Sequence, residues 1–312
     1  MYSPAGSARK TPIRMVAIDI DGTLLPTRGT VISERNRQAL RAAEAAGIEI
    51  VIATGRRQAF SMPILSAVGL RPETILISSN GSITRNFAGD LLERSVLGLE
   101  TARALCGVLR PFGSTVMTFD REGKGSLVIE SFETLHRRIQ LWVDANRASL
   151  LEVVPLERAL DNGDCPVQAM VCGTMDDMRK AEETLVASSL AKHFELHRTA
   201  YPARDLCIVD ILPPGCSKGT ALEKLAKSRG LVREQVMAIG DNFNDVEMME
   251  YAGTAVVMAN SAREMLEMAL DRNWALTGTN DEDGVAQVLD SLLLTTASGE
   301  RSDVSVCDPA GA

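Results

Sequence analysis

Short apolar runs alternate with longer amphipathic stretches through the first part of the chain. The first run, Met15 to Ile18, is too short for a globular helix and predicts a buried strand. A helix with apolar residues on one face follows, capped by Ser33 and ending at Gly47. This alternation predicts a parallel sheet with right-handed crossovers. The predicted strands are 15–18, 48–53 and 74–78, separated by helices over 34–46 and 58–68.

The rhythm changes after Asn80, where two short strands around residues 86–89 predict a hairpin instead of another crossover. Adjacent strands mixed with helices follow, and this mixture predicts an α+β unit inserted into the first domain. The regular alternation resumes after Pro213-Pro214-Gly215 and ends near Leu294. We therefore expect a doubly wound α/β core with an inserted cap, and flexible segments at both ends of the chain. The predicted bounds are a flexible arm at 1–13, the core at 14–81 and 204–294, the cap at 82–203, and a disordered tail at 295–312.

Two carboxylates stand directly after the first predicted strand. Asp19 and Asp21 are two residues apart and so point to the same side of an extended chain. Close carboxylates repel each other unless a cation or a shared proton compensates, and oxygen ligands favour Mg²⁺. Taken alone, the stretch fits a strand that ends in an Asp-Gly turn equally well.

Three further segments bring polar groups to the same edge, because a doubly wound sheet gathers its strand ends and helix starts there. These groups are Thr54 and Gly55, Ser217 and Lys218, and Asp241 and Asp245. With the first two aspartates they supply a nucleophile, a proton donor, metal ligands, a lysine and backbone N–H groups, which are the components of phosphoryl transfer. Taken singly, Lys218 would be an ordinary lysine of a first helical turn. Asp241 and Asp245 would suit a helix N-terminus through its dipole.

Composition narrows the classes of function. The chain has 312 residues, enough for about two domains, with 45% hydrophobic and 24% charged residues, as in ordinary globular proteins. Its formal net charge of −8 disfavours nonspecific binding to nucleic acid or to anionic membranes. No run approaches 18 apolar residues, and the six cysteines form no C-x-x-C pair. We expect a cytoplasmic protein without structural zinc, and its oligomeric state cannot be read from these patterns.

The motifs resemble those of the haloacid dehalogenase (HAD) superfamily of phosphatases, and more closely its Cof-type branch of sugar-phosphate phosphatases. One such motif is weak evidence, but four in this order over about 14–294 make chance a poor explanation. The resemblance implies a Rossmann-like core, a cap that sets specificity, and Mg²⁺-dependent hydrolysis of a small phosphomonoester. The matching segments are Asp19-Ile-Asp-Gly-Thr-Leu24, Ala53-Thr-Gly-Arg56, Ser217-Lys-Gly-Thr-Ala-Leu222 and Gly240-Asp-Asn-Phe-Asn-Asp245, with Asn80-Gly81 and residues 280–284 also typical of the branch.

The resemblance also implies a role for each motif residue. Asp19 would attack phosphorus, form an aspartyl-phosphate and ligate Mg²⁺, and Asp21 would act as general acid and base while its backbone carbonyl binds the metal. Asp241 would complete the protein ligands, and Asp245 would fix Lys218 and metal-bound water without binding the metal itself. The residues implied to hold the phosphoryl group or the substrate are Thr54, Gly55, Arg56, Asn80, Gly81, Lys218 and Asn244.

Two alternatives use the same residues. A phosphomutase or phosphotransferase would form the same aspartyl-phosphate but return the phosphate to a substrate. A phosphometabolite-binding protein would keep the fold without turnover. No motif in the cap names a leaving group, although a large cap favours a small phosphorylated metabolite over a protein or nucleic acid. Whether Arg56 and the 280–284 loop contact the substrate, or only order the site, is left open.

Overall fold

The computed structural model describes residues 11–113 and 115–300, which form two α/β units. The strands are β1 Met15–Ile18, β2 Glu49–Ala53, β3 Ile75–Ser78, β4 Ile83–Asn86, β5 Leu91–Arg94, β6 Val116–Thr118, β7 Leu127–Ile129, β8 Leu150–Glu152, β9 Gln168–Gly173, β10 Glu195–Tyr201, β11 Leu206–Leu212, β12 Val236–Gly240, β13 Thr254–Met258 and β14 Ala275–Thr277. The α-helices are α1 Glu34–Ala45, α2 Gln58–Leu65, α3 Leu99–Leu109, α4 Gln140–Asn146, α5 Met175–Ala187, α6 Lys218–Ser228, α7 Val246–Tyr251, α8 Arg263–Asp271 and α9 Gly284–Glu300.

The core is an eight-stranded sheet in the order β14-β13-β12-β1-β2-β3-β4-β5. The strands from β14 to β3 are parallel, and β4 and β5 extend the sheet antiparallel. At the centre, Ile18 of β1 lies opposite both Ile52 of β2 and Ile239 of β12. Because these three strands end level, the residues that follow them emerge at one edge of the sheet. The predicted doubly wound α/β core with an inserted cap is confirmed.

Helices cover both faces of the core sheet, as the residues of β1 illustrate. Val16 and Ile18 belong to an apolar cluster with α1, α2 and α9, whereas Met15 and Ala17 belong to one with α6, α7 and α8. All four side chains are fully buried. A strand buried on both faces needs apolar residues throughout, and for this reason a short unbroken apolar run predicts it correctly.

The cap is a six-stranded sheet in the order β10-β11-β9-β6-β7-β8. Its neighbouring strands are antiparallel, except that β7 and β8 are parallel. One face packs against α3 and α5 through an apolar cluster that includes Val171 and Val209. Residues of the other face, such as Met170 and Ile208, line a cavity together with Asp19 of the core. The cap therefore lies over the edge where the central core strands end.

The boundary between core and cap differs from the predicted one. The sequence predicts that the cap begins at residue 82, but β4 pairs with β3 and belongs to the core sheet. It also predicts that the core resumes at 204, whereas β11 pairs with β9 and β10 in the cap sheet. Antiparallel strands joined by a short turn pair with each other, so each hairpin stays in the sheet of its partner strand. The cap extends from about Leu97 to Leu212.

The ends of the chain fall partly outside the described residues. These positions are 1–10 of the predicted arm and 301–312 of the predicted tail. Residues 295–300 continue α9 to Glu300, so the predicted disorder is wrong for them. The segment contains Gly299 but no proline, and glycine in a helix is far less destabilising than proline. Within 11–113 and 115–300, no helix combines the length and the hydropathy that a membrane crossing requires.

Gly219 allows α6 to contact the backbone of α7. A Cβ atom at this position would lie 2.6 Å from the backbone carbon of Glu247. We expect Gly219→Ala to lower the free energy of unfolding by about 1–3 kcal/mol, because the two helices must separate. Gly107 in α3 is the matched control, since nothing lies within 4 Å of its Cβ position. Gly107→Ala should be neutral or stabilise by up to about 1 kcal/mol. Urea denaturation measures both, and equal effects would contradict the expected clash.

Candidate active site

A buried lysine lies between two aspartates at the carboxyl ends of β1 and β12. Lys218 Nζ donates hydrogen bonds to Asp19 Oδ1 at 2.7 Å and to Asp245 Oδ1 at 2.6 Å. The side chains of Lys218 and Asp245 are fully buried, and that of Asp19 is 6% exposed. Lys218 and Asp19 are 199 positions apart in the chain. The fold thus brings together three of the residues that the sequence analysis singles out.

Asp245 also shapes the turn that carries Asp241. Its Oδ2 accepts hydrogen bonds from the backbone N–H groups of Asp241 and Asn242 at 3.0 and 3.1 Å. Thr23 Oγ1 donates to Asp241 Oδ1 at 3.1 Å. A Cβ atom on Gly22, whose φ is +79°, would lie 2.2 Å from Asp241 Oδ2, so only glycine fits there. Asp241 is therefore held in place by its own turn and by the turn after β1.

Three carboxylates of this site could hold a metal ion. Oxygens of Asp19, Asp241 and Asp245 lie within 4.8 Å of one another. Burial raises the pKa of Asp19 to about 7, although Lys218 opposes the shift. Burial and the charge of Asp19 also raise the pKa of Asp241. Three carboxylates against one lysine leave an excess of negative charge. A divalent cation would offset that excess, and an all-oxygen donor set suits a hard cation.

Asp21 lies at the cavity and is held by Arg56. The Arg56 Nε and Nη2 atoms donate to the two carboxylate oxygens of Asp21 at 2.6 and 2.5 Å. The guanidinium also lies over the ring of Phe60, 4.8 Å from its centroid. Burial alone would lower the pKa of Arg56, but the hydrogen bonds and charge of Asp21 outweigh it and raise that pKa. The Asp21 side chain is 41% exposed, so it is far more accessible than Asp19. Of the two roles considered for Arg56, the structure shows contacts that order the loop.

Thr54 and Gly55 form the turn after β2. Thr54 is fully buried, and its Oγ1 accepts the backbone N–H of Arg56 at 3.1 Å. Gly55 lines the cavity that also contains Asp19. A side chain at Gly55 would press on the amide of Asn80, 3.1 Å from the Cβ position. The turn therefore places small groups and backbone near the nucleophile candidate.

Asn80 lies in a buried hydrogen-bond chain that joins the core to the cap. It accepts from Asn244 Nδ2 at 3.0 Å and donates to Asp210 Oδ2 at 2.9 Å. The other oxygen of Asp210 accepts from Gln168 Nε2. Asn244, Asp210 and Gln168 line the cavity. Asn80 and Gly81 are not among the described residues that line it. Substrate binding by Asn80 and Gly81 stays a prediction, and the hydrogen bonds of the Asn80 side chain are with other protein groups.

Asp210 is a candidate site residue that the sequence analysis misses. It is 5% exposed, and burial raises its pKa to about 7 against the two amide hydrogen bonds. A signal is present in the sequence, because this aspartate interrupts the otherwise apolar run of β11. Its partners lie on β9 and after β3, however, so spacing along the chain could not identify them.

The cavity between the cap sheet and the core strand ends has a volume of about 200 Å³. Residues two apart on the cap strands face it, as expected for one side of a sheet. Asn242 joins its two walls, because its side chain exchanges two hydrogen bonds of 3.2 Å with the backbone of Ala200 in β10. The core side includes Asp19, Asp21, Gly55, Arg56, Asn242 and Asn244, and the cap side includes Val116, Thr118, Gln168, Met170, Ile208 and Asp210.

The 280–284 loop contacts the segment after Asp21. Asn280 is buried, and its Nδ2 donates to the carbonyl oxygen of Leu25 at 2.8 Å. Asp281 Oδ1 accepts from the backbone N–H of Thr27 at 2.8 Å. These contacts order the chain that follows β1, which is one of the two roles considered for the loop.

Residues 16–289 match the family of haloacid dehalogenase-like hydrolases. The doubly wound core and cap of the chain are consistent with the structural similarity to haloacid dehalogenase-like hydrolases. The chain belongs to this family. Within it the chain is of the Cof type, and it is a phosphatase; several of its relatives are named phosphatases. The family generally uses a divalent metal, in agreement with the acidic cluster.

The similarity extends over core and cap together. The 5-amino-6-(5-phospho-D-ribitylamino)uracil phosphatase YwtE of Bacillus subtilis is 29% identical over 299 residues, covering 90% of this chain and 98% of the relative. Phosphatase YwpJ of the same species is 30% identical over 303 residues, covering 90% and 100%. The crystal structure of a haloacid dehalogenase-like hydrolase from Bacteroides thetaiotaomicron aligns with a TM-score of 0.71 at 25% identity, covering 90% of this chain and 99% of that one.

The buried ion arrangement predicts a large stability effect at Lys218. Lys218→Met leaves Asp19 and Asp245 without their cation, and we expect the free energy of unfolding to fall by about 3–5 kcal/mol in the presence of chelator. Lys224→Met is the control, because Lys224 is 55% exposed and pairs with Glu93 at the surface. Urea denaturation measures both variants. A Lys218→Met protein as stable as the control would contradict this electrostatic account.

Proposed function

We propose that this protein hydrolyses a small phosphomonoester in a Mg²⁺-dependent reaction through an aspartyl-phosphate on Asp19. The observation that carries the proposal is the hydrogen bond from Lys218 to Asp19, which lines the core side of a capped cavity. A carboxylate needs no general base to become a nucleophile, but its charge must be shielded from an anionic substrate. Lys218 supplies part of that shielding.

Mg²⁺ would be held by the carboxylates of Asp19 and Asp241 and by the backbone carbonyl of Asp21. Asp245 would position this set through its hydrogen bonds with Lys218 and with the backbone N–H of Asp241. The close approach of the buried carboxylates supports this assignment. When bound, the ion supplies positive charge beside Asp19 and the phosphoryl oxygens. The raised pKa of Asp19 in the protein alone indicates why such charge is needed to keep this carboxylate ionised.

The protein groups around Asp19 would divide the remaining work. Asp19 attacks phosphorus, while Lys218, the Thr54 hydroxyl and the Gly55 N–H bind the phosphoryl oxygens. Asp21 protonates the leaving oxygen and later accepts a proton from the attacking water. Both oxygens of Asp21 are bound to Arg56. We therefore propose that the incoming phosphate attracts the Arg56 guanidinium and frees an oxygen of Asp21 for proton transfer.

The cap would exclude water and restrict the substrate to small molecules. Its contacts with the core, between Asn80 and Asp210 and between Ala200 and Asn242, hold the cap over Asp19. A volume of about 200 Å³ accommodates a small leaving group. Two relatives, YwtE and the HMP-PP phosphatase of Cronobacter sakazakii, are named for small phosphorylated metabolites, which supports this size class.

Asp19→Asn should reduce phosphate release by at least about 1,000-fold, because the amide is a poor nucleophile. The substitution keeps the shape of the side chain, and Lys218 keeps its buried ion pair with Asp245, so the variant should fold. Asp271→Asn, at an exposed position of α8, is the control. Phosphate release is measured over a panel of metabolite phosphomonoesters with Mg²⁺ or with chelator. Full activity of Asp19→Asn, or turnover that chelation does not reduce, would refute the proposal, and product analysis separates hydrolysis from phosphate transfer.

Mg²⁺ binding should also be visible without turnover. An ion that binds only the folded protein raises the melting temperature by mass action. We expect an increase for the wild type at millimolar Mg²⁺, and little or none for Asp241→Asn, which lacks one proposed ligand. Asp271→Asn should respond as the wild type does. A wild type that shows no increase, or an Asp241→Asn variant with an undiminished one, would contradict the ligand assignment.

A further inference from the structure

Two consecutive arginines line the cavity, but only one has a counter-charge. Arg56 is paired with Asp21. Arg57 donates from Nη1 to Ser126 Oγ at 2.7 Å and from Nη2 to Asn146 Oδ1 at 3.0 Å, and both acceptors are uncharged. Within the described parts of the chain, no carboxylate pairs with Arg57, and burial lowers its pKa without any opposing charge.

Arg57 also has unused hydrogen-bonding capacity. A guanidinium has five N–H donors in a planar fork. Those bonded to Ser126 and Asn146 are satisfied, and no other acceptor for the side chain of Arg57 occurs among the residues of 11–113 and 115–294. A partly buried cation with free donors is stabilised by an anion more than by a neutral group.

The surroundings of Arg57 define a pocket between α2 of the core and α4 of the cap. Asn146 is 3% exposed, and its Nδ2 donates to the carbonyl oxygen of Trp142 at 2.9 Å, which fixes the amide oxygen that receives Arg57. Trp142 and Leu127 line the same cavity as Asp19. A leaving group attached to a phosphate at Asp19 therefore shares its cavity with the guanidinium of Arg57.

We infer that Arg57, with Asn146 and Trp142, forms a specificity subsite for a second anionic group carried by the leaving group, either a carboxylate or another phosphate. The inference rests on the proposed phosphatase function and narrows its substrate class. A planar guanidinium binds a carboxylate or phosphate with two parallel hydrogen bonds. Because Arg57 precedes α2 in the core and its partners belong to the cap, an anion bound here would contact both units.

Matched substrates test this inference. Each pair differs by one anionic group: 3-phosphoglycerate and glycerol 3-phosphate, 6-phosphogluconate and glucitol 6-phosphate, fructose 1,6-bisphosphate and fructose 6-phosphate. For the wild type we expect kcat/KM to be about tenfold higher for the more charged member of at least one pair, mainly through KM. Arg57→Gln should bring that ratio close to one, and Arg57→Lys should keep part of it. Arg103→Gln, on the cap surface beside Asp161, should leave the ratio unchanged.

The ratio separates substrate recognition from a role in holding the cap closed. If Arg57 only joined core and cap, Arg57→Gln would lower turnover of both members equally and keep the ratio, which would overturn the inference. A wild type without preference for the charged member in any pair would also overturn it. If the protein releases no phosphate from any of these compounds, the proposed function fails, and calorimetric binding of the same compounds tests the subsite instead. Tighter binding of the charged members that is lost in Arg57→Gln would still support the subsite. The absence of such a preference would overturn the inference.

Discussion

The burial of Lys218 between two aspartates constrains most of the core. Ionised groups removed from water are destabilising by several kcal/mol each unless opposite charges and hydrogen bonds match them closely. This match requires α6 to begin where β1 and β12 end. Gly219 permits the necessary approach, because α6 contacts the backbone at Glu247. The packing of helices on the central strands thus determines the geometry of the charges as well as the apolar core.

The charges along the cavity are unevenly balanced. Around Asp19 the carboxylates outnumber the cations, which suits a divalent metal and a phosphoryl group. Beside them, Arg56 and Asp21 neutralise each other. Where α2 of the core meets the cap, Arg57 is a cation without a carboxylate partner in the described residues. A substrate that brings a phosphate to Asp19 and a second anion to Arg57 would balance the charges in both regions. The cap contacts would keep water from competing for the same hydrogen bonds.

Local chemistry made parts of the structure predictable. The central strands were recognisable because burial on both faces demands unbroken apolar runs, as in β1. The bounds of the cap could not be recognised in this way, since a hairpin can join either sheet and only pairing decides which. Asp210 was visible as a charge in an apolar strand, but its partners Asn80 and Gln168 were not.

The fold class and the chemical type of the site follow from the sequence alone, because strand ends of a doubly wound sheet must converge and the residues placed there are carboxylates, a lysine and small turn residues. How these residues pair with one another depends on the tertiary structure. It assigned Lys218 to Asp19 and Asp245, bound Arg56 to Asp21, and left Arg57 to neutral partners in the cap. Such pairings depend on distances between segments far apart in the chain. Packing of the two sheets sets those distances, and spacing along the sequence does not.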